Sequence, residues 1–257
     1  MKTPITYYGG KQNMVKHILP LIPEHLHYVE PFFGGGALFF AKEPSKLETI
    51  NDLSDLVIKF FRQTKTNFDE LKKLIDGTAN ARKEYLRAMA VYKNPEFFSE
   101  VQLAWAFYVG TQAGVLAHLG SWKSSTNVVR TTFRNKLENF SAEYAERLKF
   151  TQIECKDALE VIKQRDSEVT LFFIDPPYFN SNQGHYKGYN ETDYINLLDT
   201  LKTIKGKFIL SSYPSEVLSR YLSENPNWNA VSFDMNKDAA NKKEKGKRKT
   251  EVVVKNF

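Results

Sequence analysis

At 257 residues the chain can bury one substantial core, with room for an inserted subdomain rather than several full domains. A formal charge of +6 and a pI near 9.1, on an ordinary composition of 42% hydrophobic and 26% charged residues, pull mildly toward a polyanionic partner. A single cysteine, Cys155, and five scattered histidines exclude a disulfide framework and a cysteine-based zinc site, so no metal is expected. MKTPITYYGGKQ has no apolar signal core and the chain has no apolar run of about 18 residues, so a soluble cytoplasmic protein is expected.

In chain order, Ile5–Lys11 (ITYYGGK) reads as an extended piece broken by Gly9 and Gly10, and Asn13–Leu19 as a helix stopped by Pro20. His27–Pro31 reads as a short strand running into Phe32-Phe33-Gly34-Gly35-Gly36, and Ala37–Ala41 as the start of a helix. Leu47–Asn51 is a second strand ending in Asp52, after which Leu53, Leu56, Val57, Phe60 and Phe61 recur at helical spacing. Helical patterns dominate from about 64 to 148. They include a long candidate from Ser99 to about Leu119 and a helix over Leu137–Leu148. Between these, Gly120–Lys136 carries β-branched residues, turns and four cations, which predict a hairpin or an ordered loop. Trp105 and Phe107 lie on a helical face and read as core rather than site.

The α/β pattern then resumes. Strands are expected over Phe150–Cys155, Val169–Ile174 and Lys207–Ser211, with helices over Ala158–Gln164, Tyr194–Ile204 and Val217–Leu222. Val231–Met235 and Glu251–Phe257 form a closing antiparallel pair, joined by Asn236–Lys249, a basic loop with seven Lys or Arg against two acids.

Leu171–Tyr178, LFFIDPPY, is the most informative stretch. Its apolar run suits a strand buried on both faces, and the two prolines forbid its continuation. The Asp175 carboxylate and the Tyr178 ring are thereby set at a strand's carboxyl edge, where open α/β sheets bind ligands. A rigid acceptor pair beside a flat ring suits the exocyclic amine of a planar base. A strand end with a proline turn is the plainer reading of an isolated DPP.

Three further features accompany it. Strand, glycine turn and helix at Glu30–Gly36 let backbone approach a cofactor closely. The glycines do not follow the GxGxxG spacing, and Ala37-Leu38 stands where a triphosphate-binding loop needs Lys followed by Ser or Thr. Asp52, at the end of the second strand, is placed to accept from ribose hydroxyls, or else to cap the following helix. Lys11, beside the Gly9-Gly10 turn, either pairs with a carboxylate or is a surface lysine.

The ordered set YYGGK, EPFFGGG, IND, a helical insertion and DPPY, over nearly the full length, resembles the Dam-type (D12, class alpha) DNA adenine-N6 methyltransferases. The resemblance implies an α/β, Rossmann-like S-adenosylmethionine-dependent methyltransferase sheet. Residues 1–62 and 149–257 would form the catalytic domain, and 63–148 an inserted, mainly helical target-recognition domain. It implies that Tyr7 and Lys11 contact the methionine end of S-adenosylmethionine, that Glu30, Phe32, Gly34 and Gly36 shape the pocket, and that Asp52 takes the ribose hydroxyls. Cys155, through its backbone, and Asp157 fall where the family holds the donor's adenine; a cysteine departs from the larger apolar residue expected at 155. Asp175, Pro176, Pro177 and Tyr178 would be the catalytic motif. The resemblance implies that the Asp175 carboxylate, itself bordering the cofactor pocket, and the Pro176 carbonyl would bind the two N6 hydrogens of adenine, and that Tyr178 would stack on the flipped-out base.

For DNA contact, Trp122, Lys123, Ser124, Ser125, Asn127, Arg130 and Arg134 offer a mix suited to phosphates and base edges, although a solvated polar loop fits them as well. Tyr186, Lys187 and Tyr189 follow DPPY and could fold over the flipped base. Lys243, Lys247 and Arg248 suit phosphates. The rival activities are cytosine-N4 methylation, and methylation of RNA or a protein amide, for which an NPPY motif is usual. A silent nucleic-acid-binding homologue is the rival from another class. The wording YYGGKQ…VEPFFGGGALFF points toward modification enzymes of type IIS restriction systems of the FokI kind. Such an enzyme would be a monomer on double-stranded DNA, working beside a cognate endonuclease and a second methyltransferase.

Overall fold

The computed structural model describes residues 1–114, 127–179, 188–236 and 248–257. Its strands are β1 His27–Glu30, β2 Leu47–Asn51, β3 Gln152–Glu154, β4 Thr170–Ile174, β5 Lys207–Ser212, β6 Asn229–Asn236 and β7 Arg248–Lys255. Among the described residues they form one seven-stranded sheet in the order β3-β2-β1-β4-β5-β7-β6. Packing divides the chain into two compact units, each gathered from separate segments. One comprises Met1–Lys16, Gly34–Pro44 and Asp52–Cys155, the other His17–Phe33, Ser45–Asn51 and Lys156–Phe257.

In the second unit β1 lies parallel to β2 and to β4, and β4 parallel to β5; β7 runs antiparallel between β5 and β6. Every residue of β4 is buried, which is why its sequence is a continuous apolar run rather than an alternation. Helices α9 (Ala158–Arg165), α10 (Glu191–Thr203) and α11 (Glu216–Glu224) cover the sheet. Val161 and Ile162 from α9, and Tyr194, Leu197, Leu198 and Leu201 from α10, share one core with Val29, Phe172, Ile174, Phe208 and Leu210. The chain moves from β1 outward to β2 on one side, and from β4 outward to β5 on the other. The order therefore reverses between β1 and β4, the crevice where doubly wound sheets bind ligands. The α/β class expected from the sequence is the one observed.

Helix ends follow their caps. Helix α10 begins at Glu191, three residues before the apolar pattern. There the Asn190 side chain accepts from the Thr192 and Asp193 N–H groups while Asp193 accepts from the Asn190 N–H. Ser215 starts α11 by accepting from Leu218 N–H at 3.1 Å.

The first unit is mainly helical: α2 (Ala37–Ala41), α3 (Asp55–Thr66), α4 (Phe68–Asp76), α5 (Arg82–Lys93), α6 (Glu100–Ala113), α7 (Asn127–Glu138) and α8 (Glu143–Leu148). Ser99 and Gln102 cap α6 reciprocally, and α6 is buried nearly all round because α3, α4 and α5 pack against it. Trp105 and Phe107 are core, as expected; the Trp105 indole donates to Thr78 Oγ1 at 2.8 Å. Phe60, Tyr108, Phe140 and Tyr144 make a continuous aromatic cluster.

Three expectations are corrected. The hairpin or loop over Gly120–Lys136 gives way to α7 from Asn127, the residues before it lying outside those described. Val128, Val129, Thr131 and Thr132 argue against a helix by propensity alone. Tertiary packing prevails: Phe133 is buried, Tyr108 donates to the Lys136 carbonyl at 2.8 Å, and Arg134 pairs with Glu138 one turn on. Leu137–Leu148 is two helices, because the chain turns at Ser141 and Phe140 is drawn into the aromatic cluster. Helix α6 ends at Ala113 rather than Leu119; 115–119 lie outside the described residues.

Candidate active site

In the first unit three of the sequence motifs meet. Gly34 and Gly36 adopt positive φ (+51° and +66°), a conformation side chains resist, and the turn they form delivers the chain into α2. The Gly34 N–H donates to Asp52 Oδ2 at 2.7 Å, and the Ser54 N–H donates to Asp52 Oδ1 at 2.8 Å. Asp52 thus ties the glycine turn to the start of α3 without capping it; Ser54 holds the cap position. The Asp52 side chain is buried, which pushes its carboxyl above the usual range despite the two N–H bonds that favour ionisation.

Tyr7 lies against the same turn, its ring and Cβ occupying the space a side chain on Gly34 or Gly35 would need. Thr3 Oγ1 donates to the Gly35 carbonyl. The YYGGK segment closes on itself through Gly10 N–H to the Tyr7 carbonyl at 3.1 Å. Lys11 is buried rather than on the surface, and its carbonyl opens α1 (Val15–Ile18) by accepting from Met14 and Val15. Cys155 is half-buried; burial, then the Asp55 and Asp52 carboxylates, push its thiol up, which disfavours the reactive thiolate.

In the second unit, Glu30 and Asp175 stand at the carboxyl ends of β1 and β4, on either side of the point where the strand order reverses. Glu30 is buried and accepts from the Tyr28 hydroxyl at 2.5 Å. Phe32 packs edge-on to Tyr189 with ring centroids 6.4 Å apart. Asp157 caps α9, its Oδ1 accepting from Leu159 and Glu160 N–H; Oδ2 takes no hydrogen bond among the described residues.

Sequence reasoning passed over Asn51. This buried side chain donates to the Pro31 and Lys156 carbonyls at 2.9 and 3.0 Å and accepts from Lys156 N–H at 2.9 Å. It binds the loop after β1 to the loop that carries Asp157. Its signal was an amide in the last position of a buried strand, where an unpaired polar group is costly.

The DPPY motif also has partners that its own four residues do not foretell. Pro176 is buried, and Pro177 and Tyr178 are half-buried. The Tyr178 hydroxyl lies 2.9 Å from Glu251 Oε2, 3.1 Å from Ser211 Oγ and 3.3 Å from Asp175 Oδ1. Its ring leans on Tyr213 at 4.1 Å between centroids. Burial, then Asp175 and Glu251, raise the Tyr178 hydroxyl well above its ordinary 10.0, so it remains a proton donor. Ser211 and Glu251 come from β5 and its antiparallel neighbour β7. An acid directly before the buried run Val252-Val253-Val254 was the available clue to Glu251.

Of the expected DNA contacts, Trp122, Lys123, Ser124 and Ser125 lie outside the described residues, as do Tyr186, Lys187, Lys243 and Lys247. Asn127 and Arg130 belong to α7, and Arg248 opens β7. Arg134 is exposed on α7, in its pair with Glu138. Among the described residues no group of three or more His, Cys, Asp or Glu side chains could hold a metal ion. Nor is any described helix long and apolar enough to cross a membrane.

A mostly parallel sheet with acids flanking its switch point and a strand ending in DPPY, and in the other unit a glycine turn bound to a buried acid, are features of α/β proteins that bind nucleoside cofactors. The family model for D12 class N6 adenine-specific DNA methyltransferases matches residues 7–243, and the chain belongs to that family. It is an S-adenosylmethionine-dependent enzyme that methylates adenine N6 in DNA. The type II methyltransferase M1.LlaDCHI of Lactococcus lactis subsp. cremoris is 28% identical over 97% of this chain and 93% of its own length. The modification methylase StsI of Streptococcus sanguinis is 23% identical over 100% of this chain, which spans 43% of that protein. Among solved structures, the putative methyltransferase yhhF from Escherichia coli is similar with a TM-score of 0.38 at 10% identity, over 95% of this chain and 82% of that one.

Proposed function

We propose that the chain methylates a flipped-out adenine in double-stranded DNA as the modification arm of a type II restriction system, with Asp175 and Pro176 gripping the amine. The observation that carries this reading is Asp175 at the end of a buried strand beside the switch point, followed at once by two prolines that fix the backbone. The N6 lone pair is delocalised into the ring, so the amine is a poor nucleophile. The Asp175 carboxylate and the Pro176 carbonyl accept its two hydrogens, draw the nitrogen toward tetrahedral geometry and stabilise the positive charge that grows on it. The Tyr178 ring holds the base by stacking. S-adenosylmethionine supplies, when bound, a sulfonium methyl that needs no metal activation.

The residues present suit that cofactor. A side chain at Gly34 would collide with the Tyr7 ring, and one at Gly35 would press on Tyr7 and Thr3, so the glycine turn packs directly against the YYGGK segment that serves the same cofactor. Asp52 is a buried acid of the kind that takes ribose hydroxyls, and Asp157 has an oxygen to spare beyond its cap. Tyr7 and Lys11 serve the methionine end, Glu30, Phe32, Gly34 and Gly36 the pocket wall, and Cys155 and Asp157 the donor's adenine. Residues 63–148 read the target, with the basic segment before β7 on phosphates. The names of the two relatives support the restriction context. The protein works in the cytoplasm as a monomer, beside a cognate endonuclease and a second methyltransferase.

Methylation-sensitive long-read sequencing of DNA from a methylase-free host expressing the chain tests this. Modified adenine in one short context is expected, and an asymmetric context would mark a type IIS partner. No modified base, from soluble protein that still binds the donor, would overturn it in favour of RNA or a protein amide.

A further inference from the structure

The hydroxyl of Tyr178 has one proton, and among the described residues two carboxylates stand within reach of it: Glu251 Oε2 at 2.9 Å and Asp175 Oδ1 at 3.3 Å. We propose that Glu251 is a positioning residue for methyl transfer, which accepts the Tyr178 hydroxyl's hydrogen bond so that this bond is not made to Asp175.

A carboxylate oxygen that already accepts a strong hydrogen bond is a weaker acceptor for the next donor, because part of its charge is neutralised. Were Tyr178 to donate to Asp175, the acceptor offered to the adenine amine would be weakened just where charge develops. The shorter distance directs the proton to Glu251 instead. Ser211 fixes the geometry from β5, its hydroxyl 3.1 Å from the Tyr178 oxygen and 3.4 Å from Glu251 Oε2. Glu251 is itself 4% exposed, so this pairing acts in a setting of low dielectric, where charge-assisted bonds are strong. The position comes from the sheet: β7 lies between β5 and β6, with Ser212 opposite Val252, so Glu251 lies one residue further on, toward the DPPY turn.

The inference rests on Asp175 being the acceptor for the amine, and the test separates the two. Single-turnover methyl transfer to plasmid DNA from a methylase-free host is measured at saturating S-adenosylmethionine and DNA. Donor affinity by calorimetry and thermal melting are followed alongside. Glu251→Ala should slow transfer about tenfold or more, with donor affinity within about twofold of wild type. Glu251→Gln keeps an uncharged acceptor and should lose less. The decisive variant is Tyr178→Phe combined with Glu251→Ala. Phenylalanine keeps the ring that holds the base but removes the proton in contention, so the double variant should be faster than Glu251→Ala alone. If Glu251→Ala does not fold, the same comparison is made with Glu251→Gln. Transfer at the wild-type rate in the Glu251 variants, or a double variant slower than the single one, overturns the proposal. Asp175→Asn is the control: if it remains active, the acceptor role of Asp175 fails and this inference falls with it.

Discussion

Gly34→Ala probes the junction of the first three motifs, and its cost can be worked out from the geometry. At φ +51° an alanine pays about 1 kcal/mol for left-handed backbone. Its Cβ would lie 2.9 Å from two ring carbons of Tyr7, and overpacking of that kind adds about 1–3 kcal/mol. The sum is about 2–4 kcal/mol, or a melting point lower by roughly 5–15 °C for a chain of this size. Gly9 is the internal control, since its φ is +74° but an added Cβ meets nothing within 4 Å. Gly9→Ala should therefore cost only the backbone part, about 1 kcal/mol. In a Tyr7→Ala background, which removes the ring, Gly34→Ala should fall to the same cost as Gly9→Ala. Urea unfolding at constant slope measures all of these. Calorimetry should show weakened donor binding for Gly34→Ala, because the Gly34 N–H is pushed away from Asp52. A Gly34→Ala protein no less stable than Gly9→Ala, or a penalty unchanged without the Tyr7 ring, would refute the argument.

Three other outcomes follow from the same geometry. Burial holds the Asp52 carboxyl above its ordinary 3.8, and a carboxylate accepts hydroxyl donors better than its acid does. Donor affinity should then be full above that raised value and fall as pH drops through it, while Asp52→Asn binds weakly at every pH; an equally sloped profile for the variant in calorimetric titrations would exclude this role. Asn51→Ala removes three hydrogen bonds and strands buried carbonyls, so it should destabilise by about 2–4 kcal/mol in urea melts, whereas a loss below about 1 kcal/mol would mean the loop before α9 is held by other means. Replacing Lys243, Lys247 and Arg248 together by Ala should lower the slope of log affinity for DNA against log salt by about 0.9 for each phosphate no longer neutralised; an unchanged slope would remove this segment from the DNA surface.

Sequence alone determined the class, because the features that define it are local. A short apolar run stopped by Asp175-Pro176-Pro177 reads as a buried strand that ends, and three consecutive glycines before an apolar helix read as a turn. Periodicity also fixed the strands and most helices to within a few residues, since burial on one face or two writes itself into spacing. The α7 helix escaped because its β-branched residues favour extended chain, and only the burial of Phe133 and the pairing of Tyr108 with the Lys136 carbonyl reverse that preference. What the fold decided is which distant residues share a hydrogen bond. Nothing in the local pattern links Asn51 to Lys156, 105 residues away, or Tyr178 to Glu251, 73 residues away. Those pairs exist because parallel strands bring their carboxyl ends to one edge and an antiparallel strand returns beside β5. Sequence therefore specified the acid proposed to grip the amine, and tertiary structure the second acid that shares the Tyr178 hydroxyl with it.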